Sequence, residues 1–130
     1  MIGLSTLYAD FTKSGDIVKD NEINLEWQDN TEGSGMIWEV AITHCETLTL
    51  EGYSDWRLPN VNELRRIVDR SKFDPAIVTG FTNVSLKYYW SSSTYEGLKE
   101  KAWTVDFEYG RVSPRTKNSP YYVRCIRDGQ

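Results

Sequence analysis

The spacing of apolar residues changes once along this chain, and that change restricts the fold more than any single motif does. Between Gly35 and Leu48, apolar side chains recur every three or four residues, which predicts an amphipathic helix. From Tyr88 onward, apolar and aromatic residues alternate with polar ones, as in half-buried antiparallel strands. Helices first and strands last, without a βαβ repeat, predict an α+β fold.

Cap and turn residues place further elements in the N-terminal half. Asn60, followed three residues later by Glu63, fits a capping box, so a second helix is expected to begin there. Residues 16–29 alternate loosely between apolar and polar side chains. This pattern predicts a short hairpin, with its polar turn at residues 19–22.

The C-terminal third is predicted to form a meander of strands. Residues 88–93 are aromatic and β-prone, and residues 103–108 alternate strictly between apolar and polar side chains. A turn at residues 109–110 predicts that the second of these strands pairs with residues 111–115. Residues 121–127 are expected to form the last strand.

Length and composition are those of one globular domain, and we assign residues 1–130 to it. The chain has 130 residues, of which 39% are hydrophobic and 13% aromatic, so it is too apolar to stay disordered. Its net charge of −4 gives no global attraction to nucleic acid, and no nucleic-acid partner is expected. No stretch is long and apolar enough to span a bilayer.

The chain contains two cysteines, Cys45 in the first predicted helix and Cys125 in the last predicted strand. If paired, they would close most of the domain into one loop, which the chain-entropy treatment values at roughly 4.5 kcal/mol. The alternative is two unrelated buried thiols, because free cysteine is often buried. The residues alone leave both interpretations open.

Three segments resemble a known family when they are taken together and in order. They are residues 52–64, which contain Trp56-Arg57-Leu58-Pro59, residues 89–93 with 102–107, and residues 122–127. The set is similar to the Lcl C-terminal domain family, named after a collagen-like bacterial surface adhesin. Val18-x-Asp20 and Leu25-x-Trp27-Gln28 also fit the opening of that family. Family members usually carry Thr-Gly where this chain has Ile23-Asn24.

The resemblance implies a C-type-lectin-like fold, with two helices packed on a small irregular antiparallel sheet and the termini close together. A looser similarity to the formylglycine-generating-enzyme branch of that fold points the same way. The resemblance also implies a disulfide between Cys45 and Cys125. With it comes an extracytoplasmic location, whether periplasmic, on the cell surface or secreted.

Few residues of this sequence are candidates for catalysis or for metal binding. Formylglycine generation uses two reactive cysteines on a late strand, whereas here Cys125 is alone there. His44 falls on the apolar stripe of the first helix, which favours a buried and hydrogen-bonded histidine over a catalytic base. We therefore predict no enzyme activity, no cofactor and no metal site. Three carboxylates that calcium accepts are better explained as solvated surface groups: Asp55, Asp106 and Glu108.

Two polar segments of the strand region are the best candidates for binding. Their candidate residues are Tyr95, Lys99 and Lys101 in the first, and Arg111, Arg115 and Lys117 in the second. If the two segments converge, five cations share one edge, where they can hold sulfate or carboxylate groups of an acidic glycan. The alternative is an ordinary solvated surface, because nearby glutamates dilute the positive charge.

Two functions are consistent with this sequence. The first, which the resemblance implies, is adhesion to acidic or sulfated surface polysaccharides through loops on a rigid scaffold. The second is a structural module that contacts a cell-surface protein or forms a homo-oligomer through exposed aromatic residues.

Overall fold

The computed structural model describes residues 10–30 and 35–129, and it is an α+β domain with two helices and two small antiparallel sheets. The first sheet has the order β1-β2-β3-β7. Its strands are β1 (Phe11–Ser14), β2 (Ile17–Asp20), β3 (Leu25–Gln28) and β7 (Ile126–Asp128). The ends of the described chain lie at the same end of this sheet, since the backbone of Asp10 bonds to Asn21 and that of Gly129 to Asn24.

The second sheet is a three-stranded meander in the order β4-β5-β6. Its strands are β4 (Tyr88–Thr94), β5 (Lys101–Asp106) and β6 (Val112–Thr116), and the helices are α1 (Trp38–Glu46) and α2 (Val61–Arg66). The prediction of an α+β fold is therefore confirmed, although the strands form two sheets where one was expected. The predicted hairpin around residues 109–110 is also confirmed, because Val105 pairs with Val112 across it.

The first hairpin was predicted correctly, but its turn lies two residues later than expected. Asp20 is the last residue of β2 rather than part of the turn. Its carboxylate accepts hydrogen bonds from the backbone N–H groups of Glu22 and Ile23, at 3.0 and 3.4 Å. Asn24 then has a φ of +60°, a left-handed conformation that asparagine tolerates and glycine prefers. This explains how Asn24 stands where the family usually has glycine.

The two helices differ in how they begin. At α2, the Asn60 side chain accepts from the Glu63 N–H at 2.8 Å and the Glu63 carboxylate accepts from the Asn60 N–H at 2.9 Å, so the predicted capping box is confirmed. Helix α1 is shorter than residues 35–48, because no side chain caps it at Ile37. The N–H of Trp38, the first residue of the helix, donates to the Lys117 carbonyl at 3.0 Å instead.

Two apolar clusters form the core. One surrounds the disulfide and includes Trp56 and Trp90, and the other surrounds Trp27 and Phe107. The second sheet lies between them, with apolar residues on both faces. For this reason the half-buried pattern predicted for residues 103–108 is wrong in detail. Thr104 is fully buried, and Asp106 is nearly so.

The disulfide between Cys45 and Cys125 joins α1 to the segment that leads into β7, with 5.5 Å between the two Cα atoms. The pairing that the family resemblance implied is therefore confirmed. The last predicted strand is shorter than expected. Residues 121–125 make only isolated bridges, and the regular strand begins at Ile126.

Candidate functional site: an arginine cleft

The structure divides the predicted binding residues into two groups, of which only Arg111 and Arg115 line a common cavity. Lys101 pairs with Thr116 at one end of the hairpin, whereas Arg111 lies in the turn at the other end. Four residue steps along β5 correspond to about 13 Å. The five cations therefore do not share one edge.

At the end of the hairpin that holds the first group, Tyr95 packs against the sheet rather than facing a ligand. Its ring meets Trp103 edge-on, with 5.0 Å between the centroids. Lys99 is exposed and Lys101 is half-buried. Lys117 lies here as well, with its ammonium 3.9 Å from the centre of the Trp38 ring and 2.9 Å from the Thr94 hydroxyl.

Arg111 in the turn and Arg115, which pairs with Ala102 near the opposite end of the hairpin, lie beside two arginines that were not among the predicted binding residues. Arg65 from α2 and Arg70 from the following loop line the same cavity of about 730 Å³. We call these four residues, Arg65, Arg70, Arg111 and Arg115, the arginine cleft. Within the described part of the chain, Asp106 is the only carboxylate that lines it. Two of the predicted cations, Arg111 and Arg115, thus share a cleft with two arginines that were not predicted.

Two of the four guanidinium groups of the cleft stack on aromatic rings. Arg115 stacks at 4.0 Å from the centre of the Tyr88 ring and donates to its hydroxyl at 2.5 Å. Arg111 stacks at 4.7 Å from the centre of the Tyr109 ring, and its Nε lies 3.5 Å from the Asp106 carboxylate. Stacking fixes the plane of a guanidinium without neutralising its charge.

Arg65 and Arg70 are exposed and make no ion pair or hydrogen bond through their side chains with any described residue. Arg65 could have been noticed in the sequence, because it follows Leu64 and lies off the apolar face of the capped helix. Nothing in the sequence shows that this side of α2 faces the turn of a hairpin some 45 residues later, where Arg111 lies.

Four other arginines are paired with carboxylates, and we call Arg57, Arg66, Arg124 and Arg127 the paired arginines. Arg57 makes two parallel hydrogen bonds to Glu63, at 2.8 and 2.9 Å. Burial acts to raise the pKa of Glu63, but the bonds from this guanidinium and from the backbone at the start of α2 hold it below its usual value. Arg127 is buried and joins Glu26 at 2.6 Å to Asp55 at 2.7 Å.

The remaining two paired arginines neutralise carboxylates that are fully buried. Arg66 pairs with Asp20, and Arg124 lies 3.3 Å from Asp29. Burial acts to raise the pKa of Asp29, yet its hydrogen bonds with Lys13 and two backbone N–H groups, and the charge of Arg124, lower it overall. These pairs hold the framework together, because a buried carboxylate is stable only when it is compensated.

The residues considered for catalysis or metal binding do not come together. Asp55 pairs with Arg127 and Asp106 faces Arg111, and within residues 10–30 and 35–129 no three His, Cys, Asp or Glu side chains are placed to share a metal ion. His44 is half-buried on α1. Its Nε2 has no hydrogen-bond partner among the described residues, so the expectation of a hydrogen-bonded histidine is wrong.

The fold and the cleft define a disulfide-bonded α+β domain that presents a cluster of four arginines, three of which make no ion pair with a described residue. The model of the Lcl C-terminal domain matches residues 16–127, which is most of the chain. The protein therefore belongs to the Lcl C-terminal domain family. No curated protein matches the chain. No helix in the described part of the chain is long and apolar enough to cross a membrane.

Proposed function

We propose that this domain is a non-catalytic, C-type-lectin-like recognition module that binds acidic or sulfated surface polysaccharides in the arginine cleft. The observation that carries the proposal is that the cleft arginines, unlike the paired arginines, have few carboxylate partners. Three of the four cleft arginines make no ion pair with a described residue, and among the described residues Asp106 alone adds a carboxylate to the lining.

The chemistry of the cleft fits a polyanion better than a single small anion. Guanidinium groups present pairs of N–H donors that match sulfate and carboxylate oxygens, and several of them side by side favour a ligand with repeated charge. Trp103 also lines the cleft and is half-exposed, so its ring offers a surface against which the C–H face of a sugar can pack.

An extracytoplasmic location supports this function. The disulfide is a bond that oxidising compartments maintain, and reducing ones generally do not. Surface polysaccharides are found on the same side of the membrane, so the ligand class and the location agree.

The test is binding to immobilised heparin, chondroitin sulfate and neutral dextran at low and at physiological salt. We expect binding to the two sulfated polymers that weakens as salt is added, and none to dextran. Arg65→Ala/Arg70→Ala is expected to weaken binding more than tenfold. The matched variant Lys99→Ala/Lys101→Ala, which removes the same charge at the other end of the hairpin, should change it less than threefold. Equal losses would contradict the assignment to the cleft.

A protein-contact function is the second candidate, and one observation favours it. The outer face of α1 exposes Ile37 and Val40, which are 37% and 50% accessible, beside the half-buried His44. Light scattering separates the candidates. A defined oligomer that Val40→Asp dissociates, without any polysaccharide binding, would favour assembly through this face, with a second copy or a cell-surface protein as the partner.

A further inference from the structure

A second cavity, of about 310 Å³, lies away from the arginine cleft. It is bounded by Gln28 at the end of β3, by residues 82–85, by Tyr89 of β4, and by residues 122–124. Three of the segments that carry the family resemblance thus meet at one cavity. We call it the tyrosine pocket, after Tyr89 and Tyr122.

The wall formed by residues 82–85 is fixed by buried charges. The Asp29 carboxylate accepts from the backbone N–H groups of Thr82 and Asn83, each at 3.0 Å, and from the Thr82 hydroxyl at 3.1 Å. Arg124 donates to the carbonyls of Gln28 and Asn83 from the other side. The wall is therefore shaped before any ligand arrives, which lowers the entropic cost of binding.

The same network leaves the pocket without an uncompensated charge. Arg124, the only charged residue that lines it among those the structure describes, is 3% exposed and faces Asp29. An anionic ligand would find no available cation there, in contrast to the arginine cleft. The pocket is suited to a neutral ligand.

Several polar groups at the pocket have hydrogen-bonding capacity to spare. The Tyr122 hydroxyl has no hydrogen bond with any described residue. The Tyr89 hydroxyl accepts from the Ser85 N–H at 2.8 Å, and the Ser85 hydroxyl accepts from the Lys87 N–H at 3.3 Å, so each still has a proton to donate. The Asn83 amide nitrogen is occupied, while its oxygen is not.

We infer that the tyrosine pocket binds one neutral sugar ring. Hydroxyl donors, an amide acceptor and a half-buried tyrosine ring are the groups that recognise a ligand with hydroxyls on its rim and C–H bonds on its face. A cavity of 310 Å³ is at the small end of ligand sites, which suits a monosaccharide unit rather than a chain. This site is separate from the arginine cleft and does not depend on it.

The experiment is a titration of the isotopically labelled protein, followed through its amide resonances, with methyl glycosides of glucose, galactose and mannose and with N-acetylglucosamine. Glucuronate is the charged comparison. At least one neutral sugar is expected to give saturable shifts at residues 82–85 and 122–124, with millimolar affinity that about 0.5 M salt does not change.

Two variants test the assignment to this pocket. Tyr122→Phe keeps the ring and removes the free hydroxyl, and Ser85→Ala removes a second donor. Each is expected to weaken binding about fivefold. Tyr53→Phe, at an exposed tyrosine outside the pocket, should leave the affinity unchanged. The unchanged amide spectrum of each variant establishes that it is folded.

Three results would overturn the inference: no shift with any neutral sugar, shifts that both pocket variants leave unaltered, or salt-sensitive binding of glucuronate in preference to glucose. None of these results bears on heparin binding by the arginine cleft, which is measured separately. A failure here and a failure of the proposed function are therefore distinguishable.

Discussion

The arginine cleft and the paired arginines use the same side chain in opposite ways. The paired arginines each contact at least one carboxylate, and two of those carboxylates are fully buried. In the cleft, Arg65 and Arg70 have no such partner within the described residues. The sharpest case is α2, where Arg65 belongs to the cleft and its neighbour Arg66 neutralises Asp20. Arginine residues that the framework does not need are those available to a ligand.

The largest effect on the free energy of unfolding is expected where a paired arginine compensates a buried charge. Arg124→Met leaves the buried Asp29 with Lys13 as its cation and removes the donor that serves two backbone carbonyls. We expect the free energy of unfolding to fall by about 3–5 kcal/mol. Urea denaturation measures this loss. A loss below about 1 kcal/mol for Arg124→Met would contradict the role of the pair.

The disulfide is the second support of the framework. Cys45→Ala/Cys125→Ala is expected to lower the free energy of unfolding by roughly 2–4 kcal/mol, because the bond restricts the unfolded chain across a sequence separation of 80 residues. At a temperature where the variant remains folded, it should bind heparin as the parent does. Lost heparin affinity in the folded variant would show that the cleft depends on the disulfide.

Lowering the pH should weaken the ion pair between Arg57 and Glu63 at the start of α2. The pKa of Glu63 is lowered from an ordinary value of 4.5, so its stabilising contribution is present above about pH 4.5. The contribution is lost as the pH falls through the lower, folded pKa. Glu63→Gln lacks this contribution, and its difference in unfolding free energy from the parent should shrink as the pH is lowered from 6 to about 3. A constant difference would show that the carboxylate's charge is not what stabilises the helix start.

The smallest effect on stability is expected in the cleft itself. Arg65→Ala/Arg70→Ala should change the free energy of unfolding by less than about 0.5 kcal/mol for each site, since neither side chain makes an ion pair with a described residue. Thermal unfolding is the measurement. A loss of more than about 2 kcal/mol would mean that these arginines belong to the framework after all.

What could be predicted from the sequence depended on how local each interaction is. The capping box of α2 spans three residues, and both of its hydrogen bonds were found where Asn60 and Glu63 predicted them. The start of α1 was missed because its first N–H group bonds to Lys117, far along the chain. Strand β1 (Phe11–Ser14) was not predicted at all, since a four-residue edge strand has too few positions to show a period.

Distance along the chain also decided which parts of the site could be predicted. Arg57 has its partner six residues away, whereas Arg127 bonds to Glu26 across 101 positions, so the sequence cannot show which arginines are compensated. Arg111 and Arg115 were selected because their hairpin was predicted. Arg65 and Arg70 join them only through the packing of α2 against the second sheet. The disulfide was likewise implied by the family resemblance and not by the spacing of the two cysteines.

The most direct test of this account is the heparin affinity of Arg65→Ala measured beside that of Arg66→Ala, each compared with the parent by calorimetry. The two substitutions remove the same side chain from adjacent positions of one helix. We expect Arg65→Ala to weaken binding several-fold without loss of stability. Arg66→Ala should lose about 1–3 kcal/mol of unfolding free energy and keep its affinity. Equal affinities for the two variants, or a greater loss for Arg66→Ala, would contradict the claim that the uncompensated arginines form the binding site.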